Sequence, residues 1–407
     1  MERADVIILG GGMIGLTLAV ALDRHGLTSI VVDPADRATT LAAAYDGRAT
    51  AAASASWRML EAIGIAERLE GQGCPIAAIR VSDGLAPGGL LFDPPADDGP
   101  LGIMFENRLL RGALREAAEA AAGVTLISAH PGEVVRDENG VRVALADGRL
   151  LLAPLLVGAE GRSSPTREAA GIALARWSYD HEALVVTVSH EQPHGNVAYE
   201  IFYPAGPFAI LPMLPAAEAP GVSRSAIVWS VKASDAPALL GLSERAIAAE
   251  IEKRMGGFLG PIELAGPRSS YKLGFHHAAT ITGRRLALAG DAAHGIHPIA
   301  GQGLNLGWRD VAALAQVLVE GARLGLDLGD AQLLDRYQRW RSLDTLMVAA
   351  ATDGLTRLYG VPGRTASAIR RLGMSAVQRI GPLKNWLMSE ARGENGDLPL
   401  LLRGLTI

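Results

Sequence analysis

Two glycine-rich runs, far apart in the chain, carry residue types and spacings suited to holding a dinucleotide. The first, Val6-Ile7-Ile8-Leu9-Gly10-Gly11-Gly12-Met13-Ile14-Gly15, is an apolar segment entering G-x-G-x-x-G, and Asp33 closes a second apolar stretch, Ser29 to Val32. Each position answers a separate demand. Gly10 allows a tight turn, Gly12 lets the backbone approach a pyrophosphate, Gly15 lets a helix pack on the strand, and Asp33 can accept from ribose hydroxyls. The second run, residues 286–310, reads Leu-Ala-Leu-Ala-Gly-Asp-Ala-Ala-His-Gly-Ile-His-Pro-Ile-Ala-Gly-Gln-Gly-Leu-Asn-Leu-Gly-Trp-Arg-Asp. Its apolar start delivers Asp291 to a strand end, where a carboxylate can hold a sugar hydroxyl. Pro298, Gly301 and Gly303 then shape a loop with little side-chain bulk. A helix starting near Gly303 directs its positive end toward any negative charge developing there.

This second run resembles the FAD-dependent aromatic hydroxylases of the single-component flavoprotein monooxygenase class, and most closely those of ubiquinone biosynthesis, which read G-D-A-A-H-x-x-H-P-x-A-G-Q-G-L-N-L-G here. The resemblance implies FAD as cofactor and NAD(P)H as transient electron donor. It implies FAD contacts from Gly10, Gly12, Gly15, Asp33, Asp291, Gly301, Gly303, Leu304 and Asn305. Asp46-Gly47-Arg48 is similar to the family's arginine segment, implying that Arg48 reaches the flavin. Phe105-Glu106-Asn107-Arg108-Leu109-Leu110 resembles its E-N-R motif and implies Arg108 near the pyrophosphate. Glu133-Val134-Val135 is similar to the strand whose backbone meets the adenine, which implies Val134 there. In Gly158-Ala159-Glu160-Gly161-Arg162 the family's D-G is replaced by Glu160-Gly161, one methylene longer. That motif is implicated in contacts to both FAD and NAD(P)H, so the departure bears on pyridine-nucleotide reduction. Gly396-Asp397-Leu398-Pro399 resembles the terminal G-D-L-P segment of the ubiquinone hydroxylases.

Positioning these runs calls for an α/β chain: a discontinuous Rossmann-like FAD-binding domain, an inserted β-sheet substrate domain and a C-terminal helical region. The flavin pieces are expected at 1–75, 101–170 and 276–330, a substrate-domain edge at 76–100, the substrate domain at 171–275 and the helical region at 331–407. Within the insert, Leu184 to Ser189, Val197 to Tyr203, Phe208 to Met213 and Ser225 to Val231 read as strands between Pro, Gly and Asn turns. Val141 to Leu145 and Arg149 to Leu152 flank Asp147-Gly148 as a hairpin.

Composition narrows the function classes. The 407 residues, 49% of them hydrophobic, can bury a large core. A net charge of −5 argues against a nucleic-acid partner. The single cysteine, Cys74, leaves no internal disulfide and reads as packing. The histidines form no zinc array, so no metal is expected. Residues 6 to 22 are apolar enough to suggest a signal peptide, but Glu2 and Asp5 offset Arg3, and three glycines suit no h-region helix. With no uninterrupted apolar span of about 20 residues, no transmembrane helix is expected; the expectation is a cytoplasmic enzyme, either free or peripheral at the inner membrane.

Alternation along 203–213 puts Phe208, Ile210 and Pro212 on one face, either the apolar wall of a pocket for a greasy aromatic substrate or an ordinary core face. His294, three residues past Asp291, reads as a structural hydrogen-bonder. His297 is the candidate for touching substrate or peroxide, and Pro298 acts by shaping the loop against the flavin. Arg357, Arg364, Arg370, Arg371, Arg379, Lys384, Arg392 and Arg403 make the tail locally basic. That is either a solvated helix face or a contact with a membrane surface or other ubiquinone-biosynthesis proteins. The expected activity is hydroxylation of a prenylated phenol by dioxygen through a flavin hydroperoxide. The alternatives are a hydroxylase of another small aromatic compound and a flavin-binding accessory subunit with little turnover.

Overall fold

The computed structural model describes residues 1–41, 45–86, 89–295, 302–342, 373 and 377–407. The chain opens with strand β1 (Val6–Leu9), helix α1 (Met13–Asp23) and strand β2 (Ser29–Asp33), followed by α2 (Ser54–Ala62) and β3 (Ala78–Asp83). Helix α3 (Asn107–Ala120) leads to β4 (Val124–Ser128), and β5 (Leu155–Gly158) precedes the long β6 (Leu174–His190). Next come β7 (Val197–Tyr203), β8 (Gly206–Met213), β9 (Ser223–Lys232), α4 (Glu244–Met255) and β10 (Ser269–Ala278). The chain closes with β11 (Leu286–Leu288), α5 (Gln302–Arg323) and α6 (Gly381–Ala391).

The first six-stranded sheet has the order Thr282–Gly283, β11, β5, β1, β2, β4. Its central pairs are parallel, bringing the ends of β1 and β11 to one edge. All four residues of β1 are buried, as continuous Val/Ile/Leu runs are in a sheet covered on both faces. Helix α1 packs against α3 and α5, and Trp308 of α5 donates to the Thr17 hydroxyl of α1 at 3.1 Å. Gly10 adopts φ +108°, and a Cβ there would stand 2.4 Å from the Ala159 carbonyl oxygen. Only glycine suits that turn.

The second sheet has nine strands and contains His294–Gly295, β10, β6, β9, β8, β7, β3 and Leu90–Phe92 in that order, with Ile262–Leu264 also pairing β6. One face packs Leu184, Val186, Ile210 and Ile227 against Ile247, Ile251 and Met255 of α4. The other faces the first sheet. The four strands expected in the insert are present, but β6 begins at Leu174, and β10 and Ile262–Leu264 are additions, β10 running past the expected end at 275. The first half of β6 is mostly exposed, so no alternation marked it. Helix α4 is an addition to the expected all-β insert, started by the Ser243 side chain on the Ala246 N–H and ended by Gly256 in the left-handed region. The hairpin around Asp147-Gly148 is present as Gly140–Leu145 paired with Leu150–Ala153. Cys74 is buried in a small apolar cluster, and burial pushes its thiol up to about 11.

Candidate active site

A cleft of about 730 Å³ runs between the two sheets, within the size range of ligand pockets. Asp33 of β2 lines it from the first sheet, and Val185, Leu211, Ala226 and Val228 line it from the second. Gly10, Gly12, Arg48, Asp291, Gly303 and Leu304 also line it, so the cleft joins residues from both glycine-rich runs.

The Asp33 carboxylate is fixed by its own backbone surroundings, accepting from the Gly11 N–H at 2.6 Å and the Ala35 N–H at 2.8 Å. Gly12 caps α1 without a side-chain bond, and a Cβ there would meet nothing within 4 Å. The first N–H groups of α1 therefore open onto free space, an arrangement suited to an anion. Helix α5 has no acidic residue in its first turn, and Gly303 likewise leaves open space. Gly15 works differently: a Cβ would fall 1.9 Å from the Gly10 carbonyl oxygen. Its role is packing.

Asn305 lies behind the lining. Its Oδ1 accepts from the Ala53 N–H at 2.9 Å and its Nδ2 donates to the Ala51 carbonyl at 2.8 Å, tying α5 to the strand that follows Arg48. Arg108 is not brought to the cleft lining; its guanidinium donates to Glu106 at 2.6 Å. Val134 packs against the apolar core around the first sheet and is not among the cleft's lining residues. His297, Pro298 and Gly301 lie outside the described residues.

The pocket wall lies on the face of β8 opposite Phe208, Ile210 and Pro212, so of the two readings of that face the core one holds and the substrate one does not. Phe208 and Ile210 are fully buried against α4, and Pro212 shares their face and is buried too. Leu211, between them, lines the cleft with Ala226, its partner on β9. Alternation separates the two faces, but which face meets a ligand depends on where α4 packs.

Four further lining residues complete the site: Tyr271, which no sequence motif marked, and Glu160, Arg162 and Asn107, which fall inside the quoted motifs. Tyr271 projects from β10, its hydroxyl pushed up by burial and held back in part by Arg162 and Arg48. Arg162 donates to Asp291 at 3.1 Å, both side chains about half exposed. Such a pair is worth at most about 1 kcal/mol and yields to a ligand hydroxyl. Glu160 lines the cleft but turns its carboxylate onto its own loop, accepting from the Ser164 hydroxyl at 2.5 Å and the Thr166 hydroxyl at 2.6 Å. The extra methylene is absorbed by that turn. Asn107 accepts from the Thr50 hydroxyl at 2.6 Å at the cleft edge.

Beneath the cleft, Asp310 of α5 holds the second run in shape. It accepts from the Gly290 N–H at 2.9 Å, from His294 at 2.7 Å and from Arg341 at 2.7 Å. His294 is thus a buried structural partner. Burial alone would raise the Asp310 carboxyl, but His294 and Arg341 hold it below its usual range.

Carboxylates for hydroxyls, two helix starts and an apolar wall in one cleft suit a dinucleotide carrying a flat ring, and FAD fits that set. Residues 3–351 match the family described as "FAD binding domain". Ubiquinone hydroxylase UbiL of Rhodospirillum rubrum is 45% identical over 99% of this chain and 94% of its own. The 3-demethoxyubiquinol 3-hydroxylase of Escherichia coli is 31% identical over 96% of this chain and 99% of its own. In fold, the chain is similar to p-nitrophenol 4-monooxygenase PnpA from Pseudomonas putida, with a TM-score of 0.77 at 18% identity, covering 97% of this chain and 99% of that one. The extent of these matches, added to the cleft, places the conclusion beyond fold alone: the chain belongs to the FAD-dependent aromatic-ring hydroxylases of the ubiquinone-biosynthesis family, and FAD is its cofactor.

Proposed function

We propose that the protein hydroxylates the ring of a prenylated phenol on the route to ubiquinone, with NAD(P)H as reductant and dioxygen as oxygen source. The observation that carries this reading is the state of Arg224. This buried arginine of β9 donates to Glu106 at 2.8 Å and to the Leu214 carbonyl at 2.9 Å. Its charge is already neutralised, so it offers no clamp for the carboxylate of a small aromatic acid. Arg176 lies on the exposed half of β6. The wall of Val185, Leu211, Ala226 and Val228 favours an apolar ring instead.

Bound FAD would supply the redox chemistry that activates dioxygen. The chain's own residues orient and shield it. Asp33 and Asp291 would hold sugar and ribityl hydroxyls, and the starts of α1 and α5 would face the pyrophosphate and the flavin's pyrimidine edge. Arg48, exposed at the cleft, would add positive potential there. The apolar wall would keep water from the reacting ring.

The self-contained bonding of Glu160 supports turnover over an accessory-subunit role, because its longer side chain leaves the cleft geometry intact. Adding NADPH anaerobically to the FAD-loaded protein should bleach the flavin, and a short-chain prenyl phenol should then gain one oxygen atom from labelled dioxygen. Unbleached flavin would support the accessory-subunit reading. Bleaching with release of hydrogen peroxide alone would remove the phenol as substrate.

A further inference from the structure

The cleft-facing side of the second sheet carries a carboxyl among apolar neighbours. Glu200 of β7 lies opposite Ala209 of β8 and beside Val81 of β3. The register runs on from Ala209 to Val228 of β9 and from Val228 to Val185 of β6. These residues form one cross-strand row, and its far members, Val228 and Val185, line the cleft. Leu211, another lining residue, is the diagonal neighbour of Glu200, a separation of about 7–8 Å. Only the methyl group of Ala209 stands in the row between Glu200 and Val228. Tyr199 and Ile201, on either side, pack with the α4 core, so alternation sets Glu200 on the cleft face.

Among the described residues Glu200 makes no hydrogen bond or ion pair, and burial pushes its carboxyl up to about 7. The residue is partly exposed, so water reaches the carboxyl and a ligand hydroxyl can take that place. The other ionisable groups around this face are engaged or stand apart. Asp83, two positions along β3 from Val81, has its own interactions. Arg224, farther along β9, binds Glu106, and Lys384 of α6, which helps cover this face, binds Asp93. Tyr271 and Arg48 line other parts of the cleft.

We propose that Glu200 binds the phenolic hydroxyl of the aromatic substrate and accepts its proton, an assignment that rests on the ring-hydroxylase reading above. The phenol O–H bond breaks, its electron pair stays on oxygen, and the proton moves to the Glu200 carboxylate. The phenolate then feeds electron density to the ring carbon that receives the oxygen atom. After transfer, that carbon loses its proton to solvent and the original oxygen recovers the one held by Glu200, restoring the carboxylate. A carboxyl titrating near neutral pH is matched to such an exchange.

The test uses the FAD-loaded protein and a short-chain, water-soluble prenyl phenol. In the wild type, kcat/KM should rise as pH increases through about 7, because the protonated carboxyl cannot accept. Glu200→Gln should keep wild-type FAD occupancy, lose about 10²-fold or more in kcat/KM and lack that rise. Glu200→Asp, which keeps the charge on a shorter arm, should recover the rise with a lower kcat. The red-shifted absorbance of bound phenolate should appear with wild type and be missing with Glu200→Gln. A Glu200→Gln enzyme with wild-type kcat/KM and the same pH rise would overturn the role of Glu200 alone. A wild type that hydroxylates no phenol would overturn the activity reading and this inference with it.

Discussion

At the scale of single residues, the three motif glycines separate into two kinds of necessity. Gly12 borders open space, so Gly12→Val should fold with near-wild-type stability yet fail to retain FAD, because the side chain fills the room the pyrophosphate needs. Gly15 has no such room. Gly15→Ala should lower the melting temperature itself, since its methyl would press on the Gly10 carbonyl. Thermal unfolding alongside flavin absorbance distinguishes the two, and equal FAD retention by Gly12→Val would remove the pyrophosphate assignment. Asp310 is a second structural point. Asp310→Asn removes the partner of buried Arg341 and His294 and should cost about 3–5 kcal/mol in a denaturant titration. Because the folded-state carboxyl is lowered, its stabilisation is fully present above the unfolded value and is lost as pH falls through the folded one. Acid unfolding of the wild type should therefore be blunted in the variant.

At the scale of elements, legibility followed exposure. Strands β7 and β9 were readable because each is bounded by turn residues and rich in β-branched or aromatic side chains, and β8 as a short apolar run between turn residues. The first half of β6 was not, since most of its residues are exposed and apolar and polar types are mixed without a dry face. Within the site, the glycines, Asp33 and Asp291 were legible because their backbone or charge requirements are local. Tyr271, Asp310 and Glu200 were not, because their roles come from neighbours distant in sequence. The choice of face on β8 has the same origin: a period of two gives two faces, and only the position of α4 says which is core. It also separates two substitutions. Ile210→Ala should cost about 2–5 kcal/mol of stability with substrate KM nearly unchanged. Leu211→Ala, on the cleft face, should chiefly raise substrate KM. Urea titrations and steady-state kinetics on the pair check this, and a KM effect confined to Ile210→Ala would reverse the assignment of faces.

At the scale of the whole molecule, the end of the chain is locked onto the dinucleotide-binding half while one side of the helix just before it is left open. Leu401 and Leu402 are fully buried, Trp340 donates to the Asp397 carbonyl at 2.7 Å, and Arg323 donates to the Ile407 carbonyl at 2.9 Å. By contrast, Ile380 at the start of α6, then Leu383 and Trp386, are exposed at three-residue spacing, with Arg379 exposed beside them. Arg370 and Arg371, the other basic residues expected to act here, lie outside the described residues. Among the described residues no helix is long and apolar enough to cross a membrane. An apolar stripe flanked by a cation suits shallow contact with anionic lipid. The FAD-loaded protein should therefore sediment with phosphatidylglycerol vesicles at low salt. Leu383→Ser combined with Trp386→Ser should weaken that binding by about tenfold or more, given the area of two large side chains. Turnover of a short-chain, water-soluble phenol should survive the double change, because neither residue lines the cleft. A wild type that ignores the vesicles, or a double variant that binds them equally well, would leave α6 without a membrane role.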